Sequence, residues 1–397
     1  MTHSSYSSPT CSRPTEADPL AVLDARVAAW SKRSRKAARS DRFASRVLGV
    51  EVGYPVGVAP SQNTRSPQHV AFLADCGFNL LTYKTVRSRE WKAHPEPRWI
   101  HLEDLAEPVA VGTNLETLTG HGSPETVAND GYSFSTANSY GVPSPRPDSW
   151  QNELAEAKAA LDQGQLLVAS VQGSPQIFRT PETLAADFVD VALKAEEAGA
   201  SVVELNLSCP NTIDNFGAVP LRPICEDPRI TGRIVEAVRN ALGAHTRLVA
   251  KLSYLKSQEI DELVGFILPY IAGLTGINTL QARVYRPDGE PVFRGTVTHP
   301  DRPREQAGIS GVALRLLARD FVRSAARARA RHAGDFDIIG IGGVMVPDDL
   351  RVLFDLGASA VQTATIAARN PDFAVEVLRE QEERGDRRRL VEFKTLA

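Results

Sequence analysis

The densest chemistry in this 397-residue chain lies in ELNLSCPNT, residues 204–212. Alternation along a strand puts Asn206, Ser208 and Pro210 on one face, with Cys209 where strand gives way to loop. A lone cysteine is ordinarily a small buried hydrophobe. An exposed thiol flanked by Ser208 and Pro210-Asn211 can instead act as acid or base, once its pKa falls from about 8.5 toward neutrality. Cys225, in RPICEDP, is a weaker second candidate, and Cys76 reads as helix packing. Two lysines stand at the ends of apolar runs, Lys84 in FNLLTYK and Lys251 in RLVAKLS. One such lysine is best read as snorkelling to the surface; two at matching positions point to an anionic ligand. In IGIGGVMVPDDL, Gly342 and Gly343 let a ligand approach the backbone ahead of a helix N-terminus. A G-x-G-G turn alone is only a tight turn, but a second turn at Ala364-Thr365 makes a phosphorylated cofactor the better reading.

These residues need elements to hold them. From about residue 46, short β-branched runs alternate with Ala- and Leu-rich helical segments. The expected strands are YPVGVA, FNLLTYK, LLVASVQ, SVVELNLS, RLVAKLS, GINTLQ, FDIIGIG and SAVQTATI. Helical stretches such as PETLAADFVDVALKAEEAG and VPDDLRVLFDLG lie between them, several ending in Gly. Eight strands separated by helices predict an α/β fold, a (β/α)8 TIM barrel with an N-terminal extension and long loop insertions. An open doubly wound sheet is the runner-up, disfavoured because no G-x-G-x-x-G opens a helix after a strand. In a barrel the strand ends face the active site, which gathers Lys84, Gln172, Asn206, Ser208, Cys209, Lys251, Asn278, Thr279, Gly342, Gly343 and Thr365 at one mouth. Residues 85–150 and 281–310 break the alternation and are expected as long loops, where binding and catalysis commonly sit.

Composition narrows the class. A net charge of −3 removes a global electrostatic case for nucleic acid. Four cysteines without a C-x-x-C pair encode neither a disulfide scaffold, a zinc ribbon nor an iron–sulfur cluster, and no metal is expected. No apolar run approaches the roughly 20 residues of a membrane span, and the N-terminus lacks the apolar core of a secretory signal, so a cytoplasmic protein is expected. Residues 1–45 divide off as a tail and basic helical extension, and 46–397 as the barrel. The run Lys32, Arg33, Arg35, Lys36, Arg39 and Arg42 is better read as a solvated helix face than as a membrane or nucleic-acid arm.

From about Gly53 to residue 385, interrupted around 103–131, the chain resembles the dihydroorotate dehydrogenase family of FMN-dependent barrels. The resemblance rests on YPVGVAPS, TYKTVRSRE with HPEPRWI, ANSYGVPS, VELNLSCPN, VAKLS, GINTL, GISGVALR, IIGIGGV and ASAVQTAT, in that order. Cysteine in SCPN is similar to the cytosolic class 1 enzymes. The resemblance implies that Cys209 takes a proton from substrate C5 while hydride leaves C6 for the flavin N5. It implies that Lys84, Asn138 and the backbone of Tyr140, Gly141 and Val142 hold the substrate and its carboxylate, and that Asn206, Asn211, Asn278 and Thr279 bond the pyrimidine ring. Lys251 matches the lysine beside flavin N1, and Ala59, Lys84, Thr85, Asn206, Gly311, Gly342, Gly343, Ala364 and Thr365 fall on FMN positions. Departures are Ala307 and Ala364 where glycine is usual, Tyr254 where proline is frequent, VAPSQN at the first strand end, and the 103–131 insertion.

The leading reading is therefore FMN-dependent oxidation of a small pyrimidine-like substrate, most simply dihydroorotate to orotate, with no nucleic-acid or membrane partner. A dihydrouracil-type or other biosynthetic flavin oxidoreductase with a modified substrate is the alternative, favoured by GINTL and the DGEPVF loop but opposed by the carboxylate motif ANSYGVPS. A tRNA-dihydrouridine-synthase-like enzyme would bring a basic RNA-binding module, and the C-terminus offers only a short mixed-charge segment. A non-catalytic flavin-binding barrel would not need Cys209 with the matched asparagines and threonine. A homodimer is expected. NAD as acceptor would require an iron–sulfur partner subunit, whereas fumarate or oxygen would not.

Overall fold

The computed structural model describes residues 20–30, 44–126, 131–208, 223–296, 303–304 and 306–383. Eight parallel strands close into a barrel: β1 (Val56–Val58), β2 (Leu80–Val86), β3 (Leu166–Val171), β4 (Val202–Asn206), β5 (Arg247–Leu252), β6 (Gly273–Gly276), β7 (Asp337–Ile341) and β8 (Ala360–Thr363). Each pairs with its sequence neighbours, and β8 returns to β1 through Val361↔Val56 and Thr363↔Val58. The helices that follow them are α1 (Pro67–Asp75), α2 (Pro147–Ala159), α3 (Pro181–Glu197), α4 (Pro228–Ala241), α5 (Ser257–Ile267), α6 (Arg315–Arg331), α7 (Pro347–Asp355) and α8 (Phe373–Glu383). The TIM-barrel expectation holds. Local sequence explains the helix boundaries. Ser66, Thr180 and Asp227 accept backbone N–H bonds at the starts of α1, α3 and α4, with proline at the next position.

Strand faces divide two cores. Leu80, Leu166, Val168, Val202, Val249, Ile339 and Ala360 fill the barrel interior, joined by Val47, Leu48 and Val52 of an antiparallel ribbon, Ser45–Val47 with Val50–Val52. The Leu48 amide donates to Asp337 Oδ2 at the start of β7 at 2.6 Å, so the ribbon plugs the end opposite the mouth. A helix at Ala21–Ala29 docks through Asp24 to Arg65 and His69. The basic run 32–42 lies outside the described residues.

Two expectations change. The sixth barrel strand is Gly273–Gly276, four residues before the end of GINTL, and Leu280–Tyr285 belongs to another sheet. Its signal was hidden by glycine: a Cβ at Gly276 would lie 2.4 Å from the Phe321 ring of α6, so helix and strand touch only because no side chain intervenes. The segments expected as loops also do not remain loops. The β2 and β6 connections pair with each other in a five-stranded sheet, ordered Trp99–His101, Ser135–Asn138, Gln306–Gly311, Leu280–Tyr285, Thr119–His121. The 103–131 insertion supplies that last edge strand, parallel to 283–285.

Candidate active site

The mouth of the barrel and this second sheet enclose a cleft of about 1210 Å³, part of it open to solvent. Of the residues named from sequence, Ala59, Lys84, Thr85, Asn138, Tyr140, Gly141, Val142, Asn206, Lys251, Asn278, Thr279, Gly311, Gly342, Gly343, Ala364 and Thr365 all line it. Cys209 and Asn211 lie outside the described residues. Cys225 is not in the cleft: it is 1% exposed, its Sγ lies 3.1 Å from Ser253 Oγ, and burial pushes its thiol up to about 11. That corrects its candidacy as a base.

The floor is built from strand ends. Asn206 Nδ2 donates to Gln172 Oε1 at 2.9 Å, while its Oδ1 accepts from Ser208 Oγ at 2.9 Å. Ser208 Oγ in turn accepts from Asn278 Nδ2 at 2.7 Å. Three strand ends are thus locked by one carboxamide–hydroxyl chain, fixing which atoms of Asn206 and Asn278 face the cleft. Lys251 sits beside Asn206 in register and is 4% exposed. Beneath them Glu204, 1% exposed, faces the barrel interior with the Ser170 and Thr275 hydroxyls beside it. Burial raises its carboxyl above the ordinary range, opposed chiefly by Lys251.

One row of the second sheet forms the roof, since Trp99, Asn138, Gly308 and Gln281 are successive partners across four strands and all face the cleft. Trp99, Gln281 and Ser310 were not anticipated; HPEPRWI was the only signal for the first. The wall Tyr140–Val142 is held from behind by Arg87, whose side chain is fully buried. Arg87 Nε donates to Val142 O at 3.0 Å, and its other nitrogens reach Ser174 Oγ at 3.2 Å and Gly141 O at 3.4 Å. Gly141 and Val142 have φ of 77° and 50°. His94 packs where a Gly141 side chain would go; burial and then Arg304 lower its imidazole to about 4. Arg304 ties both long connections together, donating to the carbonyls of Pro95, Pro97, Arg294 and Gly295.

The far end is a bare backbone turn. Gly343 has φ of 67°, and a Cβ there would fall 2.3 Å from Arg315 Cα, so only glycine fits. The amides of Gly343 and Val344 make no hydrogen bond among the described residues. Asp349, 4% exposed, anchors the turn by accepting from Met345 and Val346 amides and pairing with Arg315 and Arg319. At Ala364 φ is −132°, so alanine serves where glycine is usual. A floor of carboxamides and ammonium groups, ending in open amides, fits a flavin: polar-edged, planar and carrying an anionic tail.

Among the described residues no helix is long and apolar enough to cross a membrane, and no group of three His, Cys, Asp or Glu side chains is placed to hold a metal.

Residues 105–384 match the family model described as dihydroorotate dehydrogenase. A dihydroorotate dehydrogenase from Dictyostelium discoideum is 27% identical over 332 residues, covering 83% of this chain and 85% of the relative. The catalytic subunit of dihydroorotate dehydrogenase B (NAD(+)) from Methanopyrus kandleri is 28% identical over 64% of this chain and 71% of its own length. That of Listeria monocytogenes is 26% identical, over 73% and 84%. The matched span takes in Lys251 and the floor carboxamides Gln172, Asn206 and Asn278 and runs through β8, so the chain belongs to the dihydroorotate dehydrogenase family of flavin-dependent oxidoreductases, which act on the CH–CH bond of dihydroorotate.

Proposed function

We propose that this chain oxidises dihydroorotate to orotate with FMN as its flavin. The observation that carries the reading is the convergence of Lys84, Asn138, Asn206, Lys251, Asn278 and Thr279, from five separate stretches of chain, on one cleft with a bare glycine turn at its end. Lys84 and the amides of the Tyr140–Val142 wall bind the substrate carboxylate, with Asn138 beside them. Asn206, Asn278 and Thr279, with Asn211, orient the ring by matching its alternating N–H and C=O groups. FMN held in this cleft would supply the hydride acceptor for C6. The ammonium of Lys251, itself buried, would stabilise negative charge on the reduced flavin.

The proton at C5 needs a base. Among the described lining residues the titratable side chains are Lys84, Lys251 and Tyr140, with no carboxylate, imidazole or thiol. Cys209 follows Ser208, which is bonded into the floor, and is assigned as that base. Gly342, Gly343, Ala364 and Thr365 are assigned to the phosphate end of FMN, and Ala59, Thr85 and Gly311 to its ring and chain. The B-type relatives are named as catalytic subunits of NAD(+) enzymes. NAD use here would call for a partner subunit carrying the cluster that these four cysteines do not encode.

Purified protein should show a flavin spectrum, release FMN on denaturation, and bleach on anaerobic addition of dihydroorotate. Bleaching by dihydrouracil alone would replace the substrate, and absence of flavin would refute the reading. Cys209→Ala should slow reduction by roughly 10²–10⁴-fold, the usual contribution of a positioned base. Cys225→Ala should leave the rate unchanged; the opposite pattern would refute the assignment of Cys209.

A further inference from the structure

The carboxamides that line the cleft differ in how much hydrogen bonding they have left to give. Each carries two donors and an oxygen with two lone pairs. Asn138 Nδ2 donates to Gly308 O at 3.0 Å. Asn206 engages Gln172 and Ser208 with its two ends. Asn278 donates to Ser208 Oγ, and its Oδ1 accepts from the Thr279 amide at 2.9 Å. Gln281, on the roof strand Leu280–Tyr285, lines the same cleft, yet its side chain bonds to nothing among the described residues, and its Oε1 is enclosed without a partner. A buried polar atom left unpaired is costly and calls for an account. Since no bond holds this carboxamide, rotation about its last torsion can turn either its oxygen or its nitrogen to the cleft.

Its place narrows what it can meet. Gln281 pairs with Gly308, and Gly308 with Asn138, so Gln281 stands two strands from Asn138, roughly 10 Å across the roof. Between them the roof is bare, because a Cβ at Gly308 would lie 2.4 Å from Thr279 Oγ1. Asn138 leads directly into the Tyr140–Val142 wall, and Gln281 lies beyond Gly308, two residues past Thr279 in the chain. A ring lodged with its carboxylate at the wall turns its opposite edge toward Gln281. In dihydroorotate that edge is an N–H between two carbonyls. A carboxamide can meet an adjacent N–H and C=O there with its own acceptor and donor.

We propose that Gln281 is a specificity-determining residue for this reaction, reading from the roof the amide edge of the pyrimidine ring opposite its carboxylate. The proposal rests on the dihydroorotate reading of the cleft. The floor asparagines orient the ring, and Gln281 adds a contact that only a ring with that edge can use. It touches neither C5 nor C6, so it acts on binding and not on the chemical step. A contact made equally in ground and transition states changes KM and leaves kcat alone.

Gln281→Met keeps the length of the side chain and removes its hydrogen bonding. In the holoenzyme, KM for dihydroorotate and the dissociation constant of orotate, read from the flavin absorbance, should each rise roughly tenfold, the worth of one good hydrogen bond. The preference for orotate over 3-methylorotate, whose edge lacks that N–H, should narrow. Turnover at saturation should stay within about twofold, and the melting temperature should not fall, because the change removes an unpaired buried oxygen. Gln281→Glu gives a second readout. Protonated, it is donor and acceptor again, so its orotate affinity relative to wild type should recover as pH falls from about 8 to about 5. Unchanged constants or an unchanged preference in Gln281→Met overturn the proposal, as does a loss of turnover that tracks a lower melting temperature. If Gln281→Met does not fold, Gln281→Glu decides: recovery at low pH supports the contact, and a flat ratio or a second failure to fold overturns it. Wild-type enzyme that neither oxidises dihydroorotate nor binds orotate refutes the substrate reading and this proposal with it; failure of the proposal alone leaves wild-type activity in place.

Discussion

Arg87→Met gives the sharpest check on how the substrate wall is held. The guanidinium is fully buried, and its best-formed bonds are those to Val142 O at 3.0 Å and Ser174 Oγ at 3.2 Å. At about 1.5–3 kcal/mol per bond to a charged group, the change costs about 3–6 kcal/mol of stability before relaxation. The functional cost follows from the backbone. Val142 holds φ of 50°, a left-handed conformation that costs a non-glycine residue about 1–2 kcal/mol. Released from Arg87, the wall relaxes by that amount, and substrate must restore it on binding. At 1.4 kcal/mol per tenfold, KM for dihydroorotate should rise about 5–30-fold. Turnover at saturation should change less than twofold, because Arg87 touches none of the reacting atoms. Steady-state kinetics beside thermal unfolding separate the two effects. Arg87→Lys keeps the charge but not the fork and should fall between. A variant that melts early yet keeps wild-type KM would refute the clamp.

Two further outcomes follow from buried charge. Burial first, and Arg369 second, lower His101 to about 4, below its ordinary 6.5, so the folded protein binds fewer protons than the unfolded chain. Its contribution is present above pH 6.5 and is lost as pH falls toward 4. The melting temperature should decline across that window, and His101→Asn should flatten the decline. Asp349→Asn loosens the glycine turn, so affinity for the proposed FMN, measured by fluorescence quenching, should weaken roughly tenfold, about 1.4 kcal/mol, while KM for dihydroorotate in flavin-saturated enzyme stays unchanged.

The barrel was legible because buried parallel strands read as apolar runs, and the runs ended in the polar residues that now line the cleft. Lys84 and Lys251 stood out because charge is rare at such ends. The sixth strand was misplaced because Gly-Leu-Thr-Gly has almost no side-chain pattern to read. The roof was invisible for another reason: its strands are three to six residues long and gain their partners from segments up to about 170 positions away. Periodicity is local, and that pairing is not. Arg87, Arg304 and Glu204 were passed over because a single charged residue looks solvated until the fold shows what encloses it.

The roof also spans the mouth. Its strands come from the connections after β2 and β6, which stand on opposite sides of an eight-membered ring. The sheet is therefore a bridge spanning a diameter, with a pier on each bank and Arg304 as the cross-brace. The deck covers a floor that other strand ends build, so the two are encoded by different parts of the chain. Rewriting the deck to suit another substrate leaves the staves of the barrel where they are.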